Sequence, residues 1–246
     1  CRGAGTDWKV SEIRRIAPAL LGTVDIIPEP AQMEAQFQEI MRASMSRGVS
    51  DAQLRVWAPQ GAQVVFVRQV LPTVEDLTAR RTAVNDLTGA YPTGAWSDET
   101  RDYHVSVRLP AKALGQEQLA ARVQIAIGDD VKAQGLVKAK WSSDDNLTAR
   151  IDSQVAHYTG QTELAAVIQE GLAAKSAGNE ELATTKLGRA VQLAAETGND
   201  EATAKLRKVV DVQDAEAGTV RLKKAVEKAD EMALDTASTK TTRVRK

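Results

Sequence analysis

Apolar positions along the chain follow three successive rhythms, each predicting a different kind of element. In residues 1–46 the rhythm is helical and interrupted. Ile13, Ile16, Ala17, Leu20 and Leu21 share one face, with Thr6 or Asp7 placed to cap that helix and Gly22 to stop it. Pro18, inside the stripe, lacks the N–H its turn requires and should kink or shorten the helix. Val24-Asp25-Ile26-Ile27, closed by Pro28 and Pro30, reads as a short strand of a buried parallel sheet. A second helix follows, with Met33, Phe37, Ile40 and Met41 on one face and Pro30 suited to its first turn.

Over residues 52–142 the period becomes two. Tyr103, Val105, Val107 and Leu109 alternate with polar neighbours, as do Ala121, Val123, Ile125 and Ile127, and then Val137, Ala139 and Trp141. Leu54–Ala58 and Val64–Val70 add two strands, and residues 85–100 read as a long turn-rich loop. Strands with one polar face, separated by Pro and Gly turns, predict an antiparallel β-sandwich.

From residue 155 the period returns to that of a helix. Leu164, Val167, Ile168, Gly171 and Leu172 form one stripe. Ala183, Leu187, Ala190, Val191 and Ala194 form the next, and Ala202, Leu206, Val209 and Val210 a third. Gly178-Asn179 and Gly198-Asn199 mark the turns, so the helices pack antiparallel. Leu222, Val226, Ala229 and Met232 suggest a fourth helix, and the remaining tail has no apolar face and is expected to be extended or disordered. The fold class is therefore multi-domain α+β. The boundaries are an α/β piece over 1–48, a sandwich over 49–152, helical hairpins over 153–234 and a flexible basic tail over 235–246.

Composition narrows the function. A net charge of −1 over 246 residues gives no reason to expect nucleic acid or an acidic membrane as partner. No apolar run approaches the length of a membrane span, and the expected setting is cytoplasmic. The single Cys1 excludes an internal disulfide and a multi-cysteine metal site. His104 and His157 are the only imidazoles, and neither has partners at catalytic or zinc-site spacing, so no catalytic or metal residue is assigned. Gly3-x-Gly5 fails as a dinucleotide loop because Trp8 stands where the third glycine should be.

Gly3-Ala4-Gly5-Thr6-Asp7-Trp8, then Ile13-Arg14-Arg15-Ile16-Ala17, then Val24–Ile27 and the helix over Glu29–Met45 occur in a telling order. This order resembles the closing strand–helix units of a von Willebrand factor type A domain. The resemblance implies the end of a doubly wound sheet. It also implies adhesion dependent on a divalent cation such as Mg, held by a D-x-S-x-S loop. No such loop occurs in this sequence, so any metal-dependent ligand site is expected upstream of Cys1. Gly171, Gly178, Ala183, Leu187, Ala190 and Leu193 resemble the small and apolar positions of one tetratricopeptide hairpin, although Ala174 replaces a usual Tyr. An antiparallel bundle explains the same stripe. The order sheet, sandwich, helices is similar to that of bacterial intracellular proteins carrying the type A domain.

The expected function is a non-enzymatic interaction scaffold with a protein partner, and neither nucleic acid nor membrane. Tyr91 and Trp96, in the long loop, are the candidate partner-facing patch. Residues 219–246 carry eight basic against four acidic side chains, and Thr239, Thr241 and Thr242 in that tail are candidate phosphorylation sites. The alternatives are an accessory subunit completing an enzyme complex, or a phosphorylation-regulated adaptor acting through the tail.

Overall fold

A computed structural model describes residues 1–46 and 48–243. In chain order its elements are β1 (Arg2–Ala4), α1 (Val10–Ala19), β2 (Asp25–Ile27), α2 (Met33–Met45), β3 (Ala52–Trp57), β4 (Gln63–Leu71), β5 (Glu75–Asp76), β6 (Thr82–Asn85), β7 (Thr88–Pro92), β8 (Asp102–Arg108), β9 (Glu117–Ile127), β10 (Asp130–Lys140), α3 (Asp145–Thr148), α4 (Ser153–Ser176), α5 (Glu180–Glu196), α6 (Asp200–Val209), β11 (Val210–Asp214), β12 (Thr219–Leu222) and α7 (Lys228–Ala237). They group into two units. One comprises Cys1–Arg42, Val70–Val74 and Ser153–Lys246, the other Ala43–Gln69 and Glu75–Asp152.

The second unit is built from two antiparallel sheets. The larger has the order β10-β9-β3-β7-β6 and the smaller β5-β4-β8. Alternation decides which side chains turn inward: Ala52, Leu54 and Val56 are buried while Gln53, Arg55 and Trp57 between them are partly exposed. Residues 85–92, expected within a loop, instead carry the end of β6 and all of β7. Asn85 Oδ1 accepts from Leu87 N at 3.0 Å to close the turn between them.

In the first unit, β1 and β2 pair in parallel, Gly3 opposite Ile26. Among the described residues the parallel signature stops there, and the doubly wound sheet expected from residues 1–46 reduces to these two strands. The helical core is the one the stripes predict: Leu164, Ile168, Leu187, Ala190 and Leu206 are all buried in one cluster. Gly178 and Gly198 take φ of +77° and +62° at the helix ends, where a β-carbon would be strained.

The expected fourth helix is displaced. Residues 210–214 and 219–222 form the hairpin β11–β12, and the helix α7 begins only at Lys228. Residues 235–243 do not form a free tail. α7 runs to Ala237, and the strap after it pairs Lys240 with Thr73 in an antiparallel bridge. Residues 244–246, the end of that expected tail, lie outside the described residues. No described helix is long and apolar enough to cross a membrane.

Candidate interaction surface

The β1–α1 turn explains why its glycines are spaced as they are. A β-carbon on Gly3 would lie 2.0 Å from the Trp8 ring, so the indole occupies the space a larger residue would need. Trp8 Nε1 donates to Gly5 O at 2.9 Å, and Gly5, at φ +67°, donates to Ile27 O at 2.9 Å. The ring that stands at the third-glycine position also fastens the turn.

The helices after that turn leave their apolar stripes open. In α1 only Val10 and Ala17 are buried, while Ile16 is 58% and Leu20 77% exposed. Lys9, not Thr6 or Asp7, occupies the cap position, and it makes no side-chain cap bond. Leu21 itself turns the chain at φ +53°, a position that favours glycine. No residue of α2 is buried, and Phe37 is 64% exposed, flanked by exposed Met33 and Met41. Large apolar side chains left exposed along a helix mark a face suited to being covered.

The same segment is fastened by charge to the C-terminal elements. Arg14 Nη2 lies 2.6 Å from both the side-chain Oδ1 and the backbone O of Asp235 in α7. Asp25 Oδ2, on β2, accepts from Lys240 Nζ at 3.1 Å, with Arg2 at 3.9 Å. Lys240 also lies 3.7 Å from Glu201. The hydrogen bond from Lys205 holds the Glu201 carboxyl below its ordinary value, with burial opposing and Lys240 reinforcing.

The strap is held along its length. Val74 N donates to Thr239 O at 2.8 Å and Thr241 N to Pro72 O at 2.9 Å. The Thr241 hydroxyl donates to Val70 O at 2.6 Å. The Thr242 hydroxyl accepts from Gln161 Nε2 at 3.0 Å, and the His157 ring lies 2.8 Å from Thr242 O. Gln161 and Asn199 are both buried and joined at 3.0 Å, so a polar seam runs from the strap to the cap of α6.

Of the residues singled out from the sequence, Thr239, Thr241 and Thr242 all lie in this strap. The Thr241 and Thr242 hydroxyls are half-buried and hydrogen-bonded, where the sequence predicts an exposed tail. Tyr91 is 1% exposed, opposite Leu54 in the sheet, so it packs a core and does not share a surface with Trp96. Burial raises its phenol above the ordinary value, with Arg81 opposing. Trp96 is half-buried: its Nε1 donates to Thr93 Oγ1 at 2.9 Å, and Arg101 stacks over its ring at 4.7 Å. His104 is half-buried on β8, and burial lowers its pKa, with Arg68 adding to the effect and Asp102 opposing. Among the described residues no group of three or more His, Cys, Asp or Glu is placed to hold a metal ion.

Sequence reasoning missed Arg14, Asp25, Asp235 and Lys240. The available signal was Asp25, a charge set inside a β-branched run, which calls for a partner.

The von Willebrand factor type A C-terminal domain matches residues 192–238, from the end of α5 through α7. A solved structure, von Willebrand factor type A from Catenulispora acidiphila, is similar over 99% of this chain, with 48% identity and a TM-score of 0.93. The chain spans 58% of that structure's chain. Among curated proteins there is no match.

Proposed function

We propose that this chain, a member of the von Willebrand factor type A protein family, is a non-enzymatic interaction protein. In this reading residues 1–45 close a doubly wound type A sheet, and the other elements of the first unit brace that closing piece. The observation that carries it is a contrast within residues 1–45. Charged residues tie them to α7 and the strap through Arg14–Asp235 and Asp25–Lys240. Apolar residues of α1 and α2 stay exposed, and among the described residues the β1–β2 pair has no third strand. A parallel pair is stable only with both faces and both edges covered, so the surface suits the remaining strands and helices of a type A domain. Metal-dependent ligand binding would belong to that completing part, since no D-x-S-x-S loop occurs in this chain. The bracing elements would fix how the type A piece is presented to a protein partner.

The test is to mix the chain with the part of the Catenulispora acidiphila protein outside the match and to measure association by calorimetry. One-to-one binding is expected, weakened by Leu20→Asp and by Phe37→Asp by about 2 kcal/mol each, the transfer free energy of one large side chain. Absence of binding, or binding indifferent to both substitutions, overturns the reading.

A further inference from the structure

Far along the chain from the open stripes of α1 and α2, a cleft of about 170 Å³ opens among α5, α6 and β11. Its floor is aliphatic, made by Val191, Ala194 and Ala195 from α5 with Val212 and Ala215 from the hairpin. Its rim is one face of α6: Asp200, Thr203 and Arg207, at spacings of three and four residues. The volume suits a single aliphatic or benzene-sized group, since an apolar cavity of about 150 Å³ takes up benzene.

The rim is polar end to end. Asp200 stands at the start of α6 and Arg207 near its end, about 10 Å further along the axis at 1.5 Å per residue. An extended peptide covers that distance in about three residues at 3.3 Å each. The three cations of α6 differ in how they are used. Lys205 pairs with Glu201 at 2.8 Å and Lys208 with Asp230 at 2.7 Å. Arg207 is exposed and makes no ion pair among the described residues, so its guanidinium is available to a carboxylate at the edge of an apolar floor.

We propose that this cleft binds an extended peptide segment of a partner protein, through an aliphatic side chain on the floor and a following carboxylate on Arg207. The floor excludes water from the anchor, and the guanidinium fixes direction along α6. An uncharged apolar ligand would leave the Arg207 guanidinium unused, and a wholly acidic segment would meet the carboxylate of Asp200 at the other end of the rim. The inference is independent of how the type A sheet is completed.

Fluorescence polarisation with a labelled heptapeptide tests it, the probe carrying lysine, leucine and glutamate at alternate positions in a glycine background. Saturable binding is expected, weakening with salt, and falling about tenfold or more when the probe's glutamate becomes glutamine or when the protein carries Arg207→Glu. A probe with lysine in place of glutamate should regain affinity for Arg207→Glu. Filling the floor at an exposed position, Ala195→Phe, should abolish binding to either probe while far-ultraviolet dichroism stays unchanged. Binding unaffected by Arg207→Glu or by Ala195→Phe overturns the proposal, as does no binding to the unaltered protein. Concentration-dependent self-association lost in Arg207→Glu also overturns it, assigning the cleft to a second copy of the chain.

Discussion

At the scale of single residues, two glycines in the helical core set how closely backbones approach. A β-carbon on Gly171 would lie 2.8 Å from Leu187 Cγ, a side-chain atom with more freedom to shift than a backbone atom. On Gly188 it would lie 2.1 Å from Gly218 O, a backbone atom of the β11–β12 turn that cannot turn aside. Gly218 needs its own φ of +66° to put that carbonyl there. Chemical denaturation should therefore separate the two substitutions: Gly171→Ala costing about 1 kcal/mol, and Gly188→Ala about 3 kcal/mol. Equal costs would mean that the hairpin shifts freely. Gly171 and Leu187 were legible as a helix crossing because both fall in stripes. Gly188 was not, since its partner lies beyond two turns and belongs to an element whose rhythm was misread.

At the scale of elements, the two Gly-Asn turns are the same device in different surroundings. Asn179 caps α5 by accepting from Leu182 N at 3.1 Å, and Asn199 caps α6 by accepting from Ala202 N at 3.0 Å. Asn179 is exposed. Asn199 is buried and also donates to Gln161 Oε1, which leaves Gln161 without that partner when the amide is removed. Asn179→Ala should cost about 1 kcal/mol and Asn199→Ala about 3 kcal/mol in the same unfolding assay. The Gly-Asn turns were read from sequence; the seam behind Asn199 was not, because it is closed by Thr242 from a segment expected to be loose. Thr241→Val tests that segment directly. Losing the bond to Val70 O should cost about 1–2 kcal/mol and raise the hydrogen exchange of the Thr241 and Val74 amides, the outer pair of the bridge. The hairpin was missed for a local reason: Val209 and Val210 continue the helical stripe of α6, and only the alternation of Val210 with Val212, and of Val220 with Leu222, distinguishes a strand there. Periodicity says which residues share a face, not what covers it, and so α1 and α2 read as core although their stripes are open.

At the scale of the whole molecule, the two units should respond to acid at different pH. His104, in the sheet unit, has its pKa held below the ordinary value of about 6.5, chiefly by burial. The unfolded chain then takes up that proton first, so the contribution is complete above about pH 6.5 and is lost as pH falls through the folded value. Glu201, in the helical unit, is also held below its ordinary value, by Lys205 first. Its contribution is present above the ordinary carboxylate pKa of about 4.3 and declines only as pH falls through the depressed value. Between pH 7.5 and 5.5 the sheet unit should therefore soften while the helical unit holds. Hydrogen exchange read by mass spectrometry, corrected for intrinsic rates, should show faster opening in peptides from β4 and β8 at the lower pH, with α4 and α5 unchanged. His104→Gln should flatten that difference, because an amide has no proton to gain in this range. A loss of protection shared equally by both units, or a slope that survives His104→Gln, would place the acid-sensitive group elsewhere. The contrast also has a use: at pH 5.5 binding to the cleft formed by α5, α6 and β11 should persist after the sheet unit has begun to loosen, since an acidic probe stays ionised above about pH 4.3.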